Sequence, residues 1–505
     1  MPMADPELLE ILRRGPEAWN RHREEGPEPR TPDLSRADLS SLDLREADLH
    51  GANLTGANLS EAKLEGAILT DAQLAQVEAR SAHFDGATLH RARLTGAQLG
   101  EATLNDADLT GADLTRANLV SARLRGANLS GVQLQMANAA KAQLDGAQLP
   151  VANLKGAVFS AASLEGAKLP GANLEGARLA MANLRGADLT RIEAARAHLE
   201  RVVLYDANLT GANLAAAELM EADLSGAQLP LADLQGAKLH RSRFTGADLS
   251  QANLSRTCLE RADFSKSDLT GASLVEASLV GTNFGGAKLA RVQLSRALLV
   301  ECNLEQSVMK DCRLDEVTLS RLRHDGAIMS NLALTPADEA SILVDDLEMV
   351  QLLETLLMRA RWRELIAPNS LRMVLVLGRF PEWRRPHLDA IRDLLRGRRY
   401  APVTIDLENP VGRKLRTVID NLAHLARFII PDLAGSREFM SDIQPFGVSL
   451  RGLPHQAIMP EGEELMELPG IWGKDPYRYR DTDHLVQTFA KSVLGPLELK
   501  LASVS

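Results

Sequence analysis

The 505-residue sequence predicts a solenoid of square coils followed by an α/β domain built on a parallel sheet. Three observations carry that prediction. From Leu34 to Leu334 an apolar residue recurs at every fifth position without an insertion or deletion, giving 61 centres, of which only Ala79, Ala139, Ala194 and His324 are not Leu, Phe or Met. The bulky centres Phe244, Phe264 and Phe284 lie 20 residues apart, and Phe84 lies 160 residues before the first of them. Beyond Thr335-Pro336, continuous apolar runs alternate with helical patterns.

A period of five fits neither a helix nor a strand, so the apolar row cannot lie on one face of either, and the chain must turn at every repeat. Four repeats then close a 20-residue coil with each centre pointing to the axis. The Ala two residues before a centre, as in Ala52 and Ala57, fills a corner, and Gly often stands two residues after it, as in Gly56 and Gly111. Stacked at the strand spacing of about 4.8 Å, some 15 coils make a rod roughly 70 Å long. Pro150, Pro170 and Pro230 share one column just after the centre, where a missing N–H least disturbs a ladder. His324 ends the Phe column and reads as a coil-end residue where packing relaxes. The A(N/D)LxG units throughout residues 33–335 resemble the pentapeptide-repeat family, whose fold is a right-handed quadrilateral β-helix.

An open stack of coils exposes unpaired edges, so a cap is required at each end. Residues 1–32 supply the first as a helical N-cap. Leu8, Leu9, Ile11, Leu12, Ala18 and Trp19 have the spacing to cover the opening coil, and the segment resembles the short helix that precedes such repeats. Residues 336–370 form a helical cap or linker, with a helix over 345–366 and Asp345 as its N-cap. Residues 371–505 form the α/β domain: strands at 371–380, 401–408 and 426–433, and helices at 386–398 and 412–426. Such alternation implies a parallel sheet with helices on both faces, and ligands of such sheets bind at the carboxyl ends of the strands.

Composition narrows the function. A net charge of −10 argues against a nucleic-acid surface working by counterion release. Across residues 33–335, 36 acidic and 30 basic residues mix on every face, too weak an excess for a DNA mimic, and Arg91, Arg93, Arg123 and Arg125 oppose that role. Cys258, Cys302 and Cys312 are too few for a disulfide framework and have no metal-ligand spacing nearby. His387, His424, His455 and His484 have none either, so no metal is expected. An acidic N-terminus and the lack of a long apolar run suggest a soluble cytoplasmic chain without a membrane partner.

The C-terminal part resembles the flavodoxin-like TIR-like domains, related to Toll/interleukin-receptor and nucleoside deoxyribosyltransferase folds, that follow the repeats in some bacterial proteins. The resemblance runs through Val344-Asp345-Asp346-Leu347-Glu348, Val374-Leu375-Val376-Leu377-Gly378-Arg379-Phe380, His387 to Arg392, and Leu422 to Ile430. It implies a nucleotide-binding crevice at Gly378, Arg379, Asp406, Arg413 and Asp432, with Asp442 or Glu438 in the place of the catalytic glutamate, and NAD or a nucleotide as ligand. Where relatives carry Arg-Asp-x-Thr-Glu-Thr, this chain has Arg413-Lys414-Leu415-Arg416-Thr417-Val418, keeping only the first Arg. The carboxylate at 442 is one methylene shorter than Glu, and a misplacement of about 1 Å can cost a hundredfold in rate. Arg384, Arg385, Arg396, Arg398 and Arg399 read as a solvated helix face, and KDPYRYR (474–480) as a contact for a partner. The expected function is therefore a scaffold that binds protein partners or itself, with no required cofactor. An NAD or nucleotide glycohydrolase is the first alternative, and gyrase protection by DNA mimicry the second.

Overall fold

The computed structural model describes residues 5–25, 31–358, 372–409, 419, 421–434, 450, 453–463 and 475–502. They divide into two compact units. One comprises residues 1–289, 298–307 and 320–327; the other comprises 290–297, 308–319 and 328–505.

The first unit opens with two helices, α1 (Pro6–Arg13) and α2 (Pro16–Glu25). They break at Gly15, whose φ of 107° is in the region that glycine adopts without strain. The first coil has no coil beneath it, and side chains of α2 take over the missing ladder. Trp19 is fully buried and its Nε1 donates to the Asp48 carbonyl at 2.7 Å. Asn20 accepts from the Asp48 amide at 2.8 Å and donates to the Glu46 carbonyl at 2.9 Å, and Arg23 donates to the His50 carbonyl at 3.0 Å.

From Asp33 the chain forms parallel bridges between residues i and i+20, beginning with Asp33 to Asn53 and continuing to Arg313 and Ala333. The inferred coil length is the observed one. Each centre donates upward, as Leu54 does to the Gln73 carbonyl at 2.7 Å, while the residue before it donates downward, as Asn53 does to the Pro32 carbonyl at 2.8 Å. The corner position two residues after the centre has positive φ, 65° at Gly56, which explains the recurrent glycine; Arg91 sits there too, at 54°. The corner alanines, such as Ala52 and Ala57, are fully buried.

Phe244 and Phe264 stack at 4.6 Å, and Phe264 and Phe284 at 5.4 Å. Phe159 corrects the expectation that bulky centres share one column: it is buried on a different face, because every centre looks into the same axial space. Near this stack the corner alanines give way to Ser242, Thr257, Ser267 and Ser307. Each is buried and returns its hydroxyl hydrogen to the carbonyl three residues earlier, at 2.6 to 2.7 Å. Toward the end of the repeats the single bridges lengthen into short strands: β1 (Leu298–Val300), β2 (Val308–Lys310), β3 (Thr318–Ser320) and β4 (Ile328–Ser330). His324 is only half-buried, as a terminal coil allows.

The second unit is built on a five-stranded sheet among the described residues. Its members are β5 (Leu332–Ala333), β6 (Ser341–Val344), β7 (Met373–Gly378), β8 (Ala401–Asp406) and β9 (Phe428–Pro431), in the order β5-β6-β8-β7-β9. The three expected strands pair in parallel as β8-β7-β9, and β6, a strand in the segment read as a helical cap or linker, adds to them antiparallel to both β5 and β8. The reason is chain length, since the few residues between β5 and β6 allow a hairpin-like return but no crossover. Ala333 also bridges Arg313 in parallel, so the sheet grows from the last ladder of the repeats.

Helix α3 (Leu347–Met358) follows β6, and α4 (Arg385–Gly397) follows β7 after a short 3₁₀ turn. The end helices are α5 (Thr482–Phe489), a π-helical turn at Ala490–Leu494, and α6 (Gly495–Ala502). One core joins Val374, Val376, Phe428 and Ile430 to Leu388, Ile391 and Leu395 of α4 and to Leu485 and Phe489 of α5. Every residue of β7 is buried, so both faces of the sheet are covered. A parallel pair, β10 (Ile458–Pro460) with β11 (Tyr477–Tyr479), lies beyond β9, where Asp432 bridges Ile458. Asp345 does not cap α3. Asp346 accepts from the Glu348 amide at 2.6 Å, while Asp345 accepts from the Asn331 amide at 2.8 Å and faces two arginines. No helix among the described residues is long and apolar enough to cross a membrane.

Candidate functional site

At the carboxyl ends of β7, β8 and β9, Gly378 pairs with Asp406 and adjoins Asp432, with Arg379 next along the chain. Arg413, Glu438 and Asp442 lie outside the described residues.

Strand β9 carries Asp432 into a sealed position, 1% exposed, against Arg384 from the turn before α4, 2% exposed. The Arg384 guanidinium donates to Asp432 Oδ2 and, at 2.7 Å, to the hydroxyl of Tyr479 on β11. Asp432 Oδ1 accepts from the Ala434 amide at 3.2 Å. Burial lifts the Asp432 carboxyl above its ordinary range, against the pull of the Arg384 guanidinium. The Tyr479 phenol is pushed up by burial and by that carboxylate. His387 lies with its ring 5.8 Å from that of Tyr479, and burial and the Arg384 charge hold it below its usual value. Each oxygen of Asp432 thus accepts one hydrogen bond from within the protein, while Nε and Nη1 of Arg384 and Nδ1 of His387 are buried without a hydrogen-bond partner among the described residues.

Among the described residues, other protein groups also fill space at these strand ends. A Cβ on Gly378 would stand 2.6 Å from the Phe380 ring and 3.2 Å from Asp432 Cβ, so the space that a backbone glycine opens is filled from within. Asp406 accepts from the amides of Phe380 and Glu408, both at 3.1 Å, which folds the β7 loop onto β8. A pocket of about 130 Å³ remains beside it, lined by Asp311, Arg313, Phe380, Arg385, Asp389 and Asp406 among others. Among the described residues this pocket is smaller than the roughly 300 Å³ at which ligand pockets usually start. A cavity of about 390 Å³ adjoins Asp345, Glu348, Arg396 and Tyr400 at the amino end of β8, away from the strand ends that carry the candidates.

Two expectations are corrected here. Arg384 is no part of a solvated face, although Arg385, Arg396, Arg398 and Arg399 are exposed. Tyr479 of the KDPYRYR segment is buried and bonded to Arg384, so it offers a partner nothing. A second buried cation went unrecognised in the sequence. Arg392 on α4 is completely buried, donates to the Asn331 side chain and pairs with Asp345 at 3.2 Å, while Asn331 donates to Asp311 at 2.9 Å. Its place on the apolar stripe of α4, one residue after Ile391, was the available signal.

The outward faces of the repeats carry ladders of opposite charge one coil apart. Examples are Arg91 with Asp71 at 2.7 Å, Lys155 with Glu175 at 2.7 Å and Arg201 with Glu221 at 2.8 Å. Two groups of metal-binding residue types also form on the solenoid, His198 with Glu200 and Glu218, and His240 with Cys258 and Glu260, the ligand atoms of each within 4.8 Å of one another. The reading that the cysteines lack metal-ligand spacing took no account of the coil, which makes neighbours of residues 18 and 20 apart.

Comparison with known proteins bears on the repeats. HetL, a pentapeptide repeat protein involved in heterocyst differentiation regulation in Nostoc sp. strain PCC 7120, is 24% identical, with a TM-score of 0.19 over 62% of this chain and 94% of that one. QnrB1, a plasmid-mediated fluoroquinolone resistance protein, is 17% identical, with a TM-score of 0.20 over 37% and 86%. A pentapeptide repeat protein of the Arabidopsis thaliana thylakoid lumen is 28% identical, with a TM-score of 0.15 over 22% and 68%. No curated protein gives a significant sequence match. The family model for pentapeptide repeats matches residues 33–191 and 197–323, more than half of the sequence, and the chain belongs to the pentapeptide-repeat family.

Proposed function

We propose that this chain is a cytoplasmic protein-interaction scaffold, in which the pentapeptide solenoid carries a TIR-like α/β unit that serves recognition or assembly rather than catalysis. The observation that supports it most is the Arg384–Asp432–Tyr479 cluster. A glycohydrolase needs a carboxylate free to meet positive charge developing on the ribose and a pocket for the nucleotide. Here Asp432, the strand-end carboxylate expected to line the nucleotide crevice, is buried against Arg384, and the pocket beside Asp406 holds only about 130 Å³. The paired charges of the coils favour the same reading over DNA mimicry, since basic rungs such as Arg91 and Arg201 alternate with the acidic ones.

The partners are proteins, and a second copy of the chain meeting it through the C-terminal unit is the simplest of them. Sedimentation velocity over a concentration series is expected to show self-association, and a constant monomer would remove that partner. The purified chain is expected to leave NAD and nucleosides intact, alone and after forced oligomerisation. Turnover by wild type that disappears in Asp442→Ala or Glu438→Ala would replace this reading with the glycohydrolase.

A further inference from the structure

The three cysteines differ in what surrounds them. Cys302 and Cys312 occupy corner positions inside the coils, where burial pushes both thiols up to about 12. Cys258 instead stands on an outward face, immediately before the buried centre Leu259. Glu260 follows that centre on the same face, and His240 lies one coil below Glu260. The thiol, an imidazole nitrogen and a carboxylate oxygen thus converge to within 4.8 Å of one another, supplied by two adjacent rigid coils.

Within this group His240 Nε2 stands 2.8 Å from Glu260 Oε2. That oxygen is shielded from solvent and receives no aligned hydrogen bond, and His240 Nδ1 is shielded and unbonded as well. A shielded atom on each side chain is thus left without an aligned hydrogen-bond partner, and both atom types are ones that ligate a metal ion. Glu260 Oε1 is already oriented by the Ser278 hydroxyl at 2.7 Å, one coil above, as carboxylate ligands are held by outer partners. The nearby Lys238 ammonium is directed away, to Glu218 at 2.6 Å.

We propose that His240, Cys258 and Glu260 form a zinc site on the solenoid, with one sulfur, one nitrogen and one oxygen ligand and a fourth position open to water or to a group from a partner. The mixture of a soft thiolate with imidazole and carboxylate suits Zn²⁺ and excludes the oxygen-seeking Ca²⁺ and Mg²⁺. Bonds of about 2.0–2.3 Å at tetrahedral angles separate ligand atoms by about 3.4 Å, so the His240–Glu260 contact must open by roughly half an ångström. Both side chains are partly exposed, at 41% and 33%, and have room to do so.

The test uses the full chain, stripped of metal and titrated with Co²⁺ and then Zn²⁺. One equivalent of Co²⁺ is expected to give a thiolate-to-cobalt charge-transfer band that Zn²⁺ removes. Cys258→Ser should abolish the band, and His240→Ala and Glu260→Gln should weaken binding by about tenfold or more, while Cys302→Ala leaves the band in place. A readout that needs no variant is alkylation of wild type mapped by mass spectrometry, in which Zn²⁺ should protect Cys258. No band at one equivalent of Co²⁺, a band that survives Cys258→Ser, or alkylation of Cys258 at an unchanged rate with Zn²⁺ each overturns the assignment.

Discussion

In the coils Arg91 meets Asp71 with the two side chains 60% and 41% exposed, whereas in the α/β unit Arg384 meets Asp432 with the two at 2% and 1%. The first pair stands in water, where Coulomb energy is small and salt screens it. Neither charge of the second pair can be removed alone, because the survivor stays buried. The repeats therefore tolerate exchange of their outward residues, while the α/β unit depends on particular partners drawn from distant parts of the chain.

The comparison can be broken most decisively at the buried pair. Asp432→Ala should cost about 3–5 kcal/mol by stranding Arg384, seen as fast hydrogen exchange in β7 and β9. Joint replacement with Met at 384 and Leu at 432 should recover most of the loss; if it does not, the pair is more than a matter of burial. In the coils Leu154→Ala should cost about 2–5 kcal/mol, with exchange rising only in the adjacent coils, because each coil contacts only its neighbours. Exchange rising along the whole solenoid would contradict that locality.

A smaller effect concerns Asp406. Burial raises its folded pKa above the ordinary 3.8. A raised carboxyl contributes stability that is complete below 3.8 and is lost as pH rises through the folded value. Asp406→Asn can keep accepting from Phe380 and Glu408 and escapes that loss. Urea denaturation should show the variant gaining on wild type as pH rises through this window and matching it in acid. The smallest effect is at Arg91→Ala, where the denaturation midpoint should not move and added salt should make no difference between variant and wild type. A clear shift would mean that the charge ladders do more than solvate the surface.

Legibility in the sequence follows the same division. The coils could be read because every repeat poses the same packing problem, so Leu, Ala and Gly recur at fixed offsets and the i to i+20 bridges follow. In the α/β unit the apolar runs located β7, β8 and β9, since burial on both faces leaves a continuous signature, and apolar residues at helical spacing located α4. The direction of β6 was not readable, because pairing sense is set by the connection to β5 and not by Ser341–Val344 itself. The strand-end candidates Gly378, Asp406 and Asp432 do meet in space. Their use by Arg384, Phe380 and Tyr479 was invisible, because a cation within a run of arginines looks solvated until its partner, 48 residues away, is known.

The unbroken five-residue period makes the first unit a device with discrete settings. Excising 20 residues would remove one coil, about 4.8 Å of stack, and keep the columns beyond the cut in alignment. Excising five would move every downstream column onto the adjacent face, taking Phe264 and Phe284 out of line with Phe84. Length changes by whole coils are thus silent, and shorter ones act as a quarter-turn of the dial.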